Sequence, residues 1–329
     1  MKKLTTFVLI LFAFAILFSQ CKKESQDPPT IDVKLDGSIV NGPYIADYAV
    51  AKEGILRDIP QKYIDSARNL LHIAYQHTSH GTHITRGLFG LKDYKTGDNV
   101  LFGITNENPT TNKLDFNDYA IQNYAANGDD ASDLSRNERA FIQATRNYLD
   151  DPDNARINVI VWSWCSIIGH SVTANYLDGM QILINEYGKN GSKIGTGAGK
   201  RAQPVYFVFL TGHAEIDNIG TGNPKNQADL IINFCNQNHQ LCLDYYSIDT
   251  HDMSDNYWDD AGDDGNSTKY GGNFYSDWQN THSSWYENKD PDGSVAYGEH
   301  NTQHITANRK AYAMWWILAR IVGWDGTSK

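Results

Sequence analysis

Four cysteines stand in 329 residues, and no two are spaced as CxxC. That spacing frames the common structural zinc and thioredoxin-type sites, so neither is expected. Basic residues are also scarce, with 28 Lys and Arg against 39 Asp and Glu, for a net charge of -11. No Lys/Arg stripe is visible, which argues against a surface built for phosphate backbones, and nucleic acid is not an expected partner. The one-sided charge of a disordered chain and the compositional period of collagen or repeat proteins are missing too. A content of 40% hydrophobic and 20% charged residues is that of a globular chain. Near the C-terminus, the apolar segment Asn308 to Val322 contains Arg309, Lys310 and Arg320. It therefore reads as a helix docking on a domain, with Trp315 and Trp316 in the core, and not as a membrane span. Aromatic residues are plentiful, with 19 Tyr and 8 Trp. Beyond the needs of a core, such rings serve as flat platforms for sugars or partners.

Lys2 and Lys3 open the chain, an apolar run follows from Thr5 to Phe18, and Ser19, Gln20 and Cys21 lead into the polar KKESQDPPT. This order is that of an export signal, and the run is short for a spanning helix. Because it ends at a cysteine, residues 1–20 read as a lipoprotein signal peptide and Cys21 as the lipidated N-terminus. Gln20 stands where a small residue is usual, and plain secretion is the alternative. Residues 21–45, rich in Pro, Asp, Ser and Lys, then read as a tether, and 46–329 as the domain. The expected address is the bacterial cell envelope, outer membrane or periplasm, with the membrane as a partner through the lipid. In an oxidising compartment Cys235 and Cys242 could close a small loop and leave Cys165 unpaired. Equally, all three could be buried apolar residues.

The middle of the chain alternates between two periods. Helical patterning at Gln61 to Leu71 runs into the apolar His72 to Gln76, which ends in HTSHGTH. A helix over Leu134 to Leu149 precedes the strand-like INVIVWSW at Ile157 to Trp164. A helix over Val172 to Tyr187 precedes VYFVFL at Val205 to Leu210, and one over Gln227 to Asn238 precedes a strand over Leu241 to Ile248. Continuous apolar strands separated by amphipathic helices predict an α/β fold. Its architecture is a doubly wound, flavodoxin-like parallel sheet with helices on both faces. From His251 to Gly298 the pattern becomes a long irregular loop rich in Asp, Asn, Gly, Tyr and Trp.

In such a sheet the ligand site lies beyond the carboxyl ends of the strands. His77, Ser79, His80, Gly81 and His83 follow the first strand, and Trp164, Cys165 and Ser166 the second. His213 and Glu215 follow the third, and Asp249, His251 and Asp252 the fourth, while His300 and His304 lead into the final helix. A serine nucleophile needs a base, a group to orient that base, and donors for the oxyanion. Ser79 in its tight turn is the best-placed nucleophile. The other chemistry these residue types allow is metal catalysis through His77, His80 and His83 with Asp249 or Asp252.

At these residues the chain resembles the divergent branch of the SGNH (GDSL-like) hydrolases, in which a His-x-Ser-x-Gly turn replaces Gly-Asp-Ser. The blocks NVIVWSWCS, FVFLTGHAE, LDYYSIDTHD, WQNTH and GEHNTQHITANRKAYAMWWILARIVGWDG follow in order over about Ile73 to Asp325. The resemblance implies Ser79 as nucleophile and His300 or His304 as base, with His300 preferred. The family's Asp three residues before the histidine is Tyr297 for His300 or Asn301 for His304; either Glu299 substitutes or the base leans on a backbone carbonyl. Oxyanion donors or cleft residues would be sought among Gly81, His77, His80, Cys165 and His213.

Other features carry less. GSKIGTGAGK, Gly191 to Lys200, follows a helix and precedes a strand, the reverse of a phosphate loop. DDAGDDGNS offers Asp259, Asp260, Asp263 and Asp264 for a structural calcium, without the regular alternation of a calcium loop. Trp164, Asp249, Trp258, Trp278 and Trp285 are candidates for lining a saccharide cleft. The expected function is serine-dependent removal of an ester group, such as acetyl, from a carbohydrate, with no cofactor required. The alternatives are a polysaccharide-cleaving lyase or glycosidase using His and Tyr or paired acids, and a non-catalytic glycan-binding lipoprotein.

Overall fold

The computed structural model describes residues 33–288 and 300–327. Residues 1–20, read as a signal peptide, Cys21 and Glu299 lie outside the described residues. Seven strands form one parallel sheet: β1 (Ile45–Ala46), β2 (His72–Gln76), β3 (Ile104–Thr105), β4 (Leu114–Asp118), β5 (Val159–Trp162), β6 (Tyr206–Leu210) and β7 (Cys242–Leu243). A short antiparallel hairpin, β8 (Asn266–Ser267) and β9 (Gly272–Asn273), stands apart from it. The helices are α1 (Glu53–Asp58), α2 (Gln61–Leu70), α3 (Thr82–Leu91), α4 (Asp98–Leu101), α5 (Ala140–Asp150), α6 (Asp178–Tyr187), α7 (Pro224–Asn238), α8 (Tyr245–Thr250), α9 (Phe274–Thr281) and α10 (His304–Ile321).

The sheet order is β1-β7-β6-β5-β2-β4-β3. The chain leaves β2 for β4 on one side, then returns to build β5, β6 and β7 on the other. This is the flavodoxin-like order, with its topological switch point between β2 and β5. Alternate residues of each strand feed two cores. Ile73, Tyr75, Val159, Val161 and Val208 face α1, α2, α3 and α10, while Ala74, Ile160, Trp162, Phe207 and Phe209 face α5, α6 and α7. The doubly wound α/β sheet expected from the apolar runs is the observed one.

Helix α10 is buried from Ile305 to Ile321, including its cations. Arg320 is held by the carbonyls of Pro43, Val40 and Trp324, and Arg309 by those of Ile248 and His251. These bonds tie down the chain before β1. Val33, Leu35, Ile39 and Tyr44 pack against the core, and the amide of Gly37 donates to Tyr206 Oη. From Val33 onward the segment read as tether is therefore part of the domain.

Three other segments differ from their patterns for local reasons. The strand expected over Leu241 to Ile248 stops at Leu243, because the Asp244 carboxylate caps α8 by accepting from the Ser247 amide and from Thr211 Oγ1 at 3.0 Å. Strand β4, LDFND, hides behind polar residues. Asp115 is paired with His72 (2.8 Å) and Arg156 (3.0 Å), and Asn117 donates to the Ile73 carbonyl, so burial leaves neither unsatisfied. Helix α3 is masked by Gly87 and Gly90, poor helix formers. At Gly87 a Cβ would lie 2.0 Å from the Ala307 carbonyl oxygen, so glycine lets α3 and α10 touch. The long C-terminal loop contains the hairpin and α9. Cys235 and Cys242 are buried free thiols, and Cys165 is free and half-buried.

Burial raises the Asp244 carboxyl to about 6, against the hydrogen bonds that hold it. A carboxyl whose folded value lies above its unfolded value binds protons preferentially in the folded state. Its contribution to stability is therefore present at low pH and is lost as pH rises from about 4 to about 6. Asp244→Asn keeps the cap and should remove that slope. Denaturant unfolding at pH 4 and pH 7 should give a parent-minus-variant difference that changes by on the order of 3 kcal/mol between the two conditions. An unchanged difference would refute this assignment.

Candidate functional site

The switch point opens where β2 and β5 end. Ser79 follows β2 in a single 3-10 turn, Ser79–Gly81, that runs directly into α3. Its φ is 34°, in the left-handed region that non-glycine residues seldom occupy. A strained strand-to-helix turn is the local geometry that lifts a serine hydroxyl above a parallel sheet. The turn rests on a buried platform. Tyr75 Oη donates to the Gly81 carbonyl at 2.9 Å, and Tyr245 Oη to that of His80. A Cβ at Gly81 would stand 2.3 Å from His77 Cβ and 2.8 Å from Tyr75 Oη. Gly81→Ala should therefore cost about 1–3 kcal/mol and displace Ser79. Thermal unfolding should show the loss, and a melting temperature equal to the parent's would mean that the turn accommodates the added methyl group.

Three histidines from three segments stack over the turn. His80 lies 3.6 Å from His213 between ring centroids, at 13°, and 4.8 Å from His300, at 29°. His300 itself has a φ of 64° and is exposed. His304, in the first turn of α10, instead stacks on Tyr286 at 5.6 Å. Of the two bases considered, His300 is the one held against the residue that follows Ser79. Burial, then His213, His300 and Lys310, push the His80 imidazole down to about 2, so it is neutral here.

Asp263 completes the group. Its Oδ2 stands 3.8 Å from His80 Nε2 and 4.0 Å from His83 Nε2, and burial, reinforced by Asp249, raises it to about 8. The loop carrying it is held by Asn301, whose Nδ2 donates to the Asp263 carbonyl at 2.8 Å. Behind the site, Lys310 of α10 is fully buried. Its ammonium lies 2.6 Å from Asp249 Oδ1, 3.0 Å from His83 Nδ1 and over the Tyr245 ring. Burial pushes Asp249 up and Lys310 down, and their mutual attraction opposes both shifts. Asp249 Oδ2 in turn accepts from the Ala214 amide, beside His213. A cleft of about 550 Å³ lined by His213, Glu215, Asp263, Asp264 and His300 opens here. A larger hollow of about 1080 Å³ lies by Asn69, His72 and Asn158, at the opposite ends of the strands. Its Arg156 and Arg201 are committed to Asp115 and to backbone carbonyls, so we assign the site to the switch point.

Several residues singled out in the sequence have other uses. His77 is fully buried and bonded to Asp118 at 2.8 Å, and it does not join the other histidines in a group of metal-ligating atoms among the described residues. The Gly81 amide donates to the Thr78 carbonyl, and the Cys165 amide to Ser135 Oγ at 2.8 Å, so neither is a free oxyanion donor. Trp164 is core, with Nε1 donating to the Leu210 carbonyl. Asp249 is fully buried. Trp258 and Trp278 pack against the cluster of Ala261, Phe274, Tyr275 and Ile305, whereas Trp285 is 61% exposed.

The acidic loop does not converge on one cation. Asp259 pairs with Lys269, Asp260 binds Ser267 Oγ and the Lys269 amide, and Asp264 binds Asn266, while Asp263 points to the histidines. The role of Lys310 was not legible in the sequence, where a lysine in an apolar helix gives no hint that it neutralises a carboxylate behind a cleft. No family model, no curated protein and no solved structure matches this chain.

Proposed function

We propose that this chain is an exported, lipid-anchored, serine-dependent ester hydrolase acting on an acylated carbohydrate. The observation that carries the reading is Ser79: a strained serine on a strand-to-helix turn at the switch point, with His300 stacked on its neighbour. In this reaction Ser79 Oγ attacks the acyl carbonyl while His300 accepts its proton. The sugar alcohol leaves with that proton, and water releases the acid from the acyl-enzyme. The resemblance to SGNH hydrolases supports the same roles. An acidic cleft mouth formed by Glu215, Asp217 and Asp264 favours neutral over polyanionic substrates. Exposed Trp285 offers a platform for a sugar ring.

Acetylated oligosaccharides incubated with the full chain should release free acetate and leave the glycan length unchanged. New reducing or unsaturated ends without acetate would overturn the proposal in favour of backbone cleavage. Binding without any product would make the chain a glycan-binding protein.

A further inference from the structure

The geometry points to a divalent-cation site of the zinc type formed by His80, His213 and Asp263. Ligand atoms of these three side chains lie within 4.8 Å of one another, and no other such trio occurs among the described residues. The site goes beyond ester hydrolysis and does not depend on Ser79 being a nucleophile.

Two side chains of the trio carry buried polar atoms with no protein partner. Asp263 Oδ2 is buried and has no hydrogen-bond partner, as does His80 Nδ1. His213 has Nδ1 2.8 Å from the Ala214 carbonyl and Nε2 2.6 Å from that of Cys165. A neutral imidazole carries one N–H, so only one of these contacts is a hydrogen bond. With Nδ1–H on Ala214, the usual way in which a backbone carbonyl orients a metal-ligating histidine, the Nε2 lone pair faces an oxygen. A cation bound at Nε2 engages that lone pair and satisfies the bare Asp263 oxygen. Two imidazoles and one carboxylate form a borderline donor set that suits zinc, and the group borders the cleft, which leaves a further position open to solvent or substrate. Ligands around a tetrahedral zinc stand roughly 3.4 Å apart, so rotamer shifts of about an ångström close the shell.

The test uses the full chain, stripped with a chelator and dialysed. Competition against a chromogenic chelator should show one Zn²⁺ bound per chain, and Co²⁺ should give the visible bands of a low-coordinate site. Asp263→Asn and His213→Gln, with folding followed by circular dichroism, should each weaken Zn²⁺ at least tenfold. Ser79→Ala should bind as the parent does, which separates this site from the hydrolase reading. Sub-stoichiometric Zn²⁺, octahedral-type Co²⁺ bands, or folded variants that bind like the parent would overturn the assignment. If neither variant folds, the parent's Co²⁺ spectrum decides.

Discussion

Alanine at Ser79 should lower ester turnover by about 10⁴-fold or more while leaving the melting temperature within a few degrees of the parent. The asymmetry follows from where the residue sits. The residue is half-buried in a turn held by Tyr75, Tyr245 and Gly81, so removing its oxygen deletes the proposed nucleophile without opening a large cavity. Alanine still pays for a φ of 34°, as serine does. A serine-directed phosphonate should label the parent on the peptide containing Ser79 and leave the alanine variant unlabelled. Turnover that survives the substitution would move the nucleophile elsewhere. His300→Ala should slow both turnover and labelling, because the base acts in both, whereas His304→Ala should have little effect on either. His304 stacks on Tyr286.

The fold was legible wherever apolar runs had one face to satisfy. Strands β2, β5 and β6 and the final helix carry their burial in their own residues, and their order along the chain implies a parallel sheet. Strand β4 was not legible, since Asp115, Asn117 and Asp118 read as loop until Arg156, His72 and His77 are brought against them. Ser79 could be singled out because a strand, a polar turn and a glycine are contiguous in sequence. His80, His213 and His300 could likewise be assigned to the site, but not their stacking, because only the sheet order makes neighbours of residues 80, 213 and 300. The same holds for Asp263. In sequence it is one of four acids in a loop, and in the fold it alone turns inward.

Replacing Lys310 with Met should destabilise the protein by about 3–5 kcal/mol, the cost of leaving a buried charge uncompensated. For a domain of this size that corresponds to a fall of roughly 10 °C in Tm. The ammonium is fully buried between Asp249 and His83 and over the Tyr245 ring, where methionine preserves the volume and removes only the charge. The effect should reach the site, since Asp249 holds the Ala214 amide beside His213 and the Lys310 charge also favours ionised Asp263. Turnover should therefore fall along with stability. The double variant Lys310→Met, Asp249→Asn should recover part of the loss, because the amide still accepts from Ala214 and no charge remains to be balanced. Chemical denaturation of the two single variants and the double variant measures the coupling, which should exceed about 1 kcal/mol. A single variant within about 1 kcal/mol of the parent, or strictly additive effects, would mean that the pair does not hold the site together.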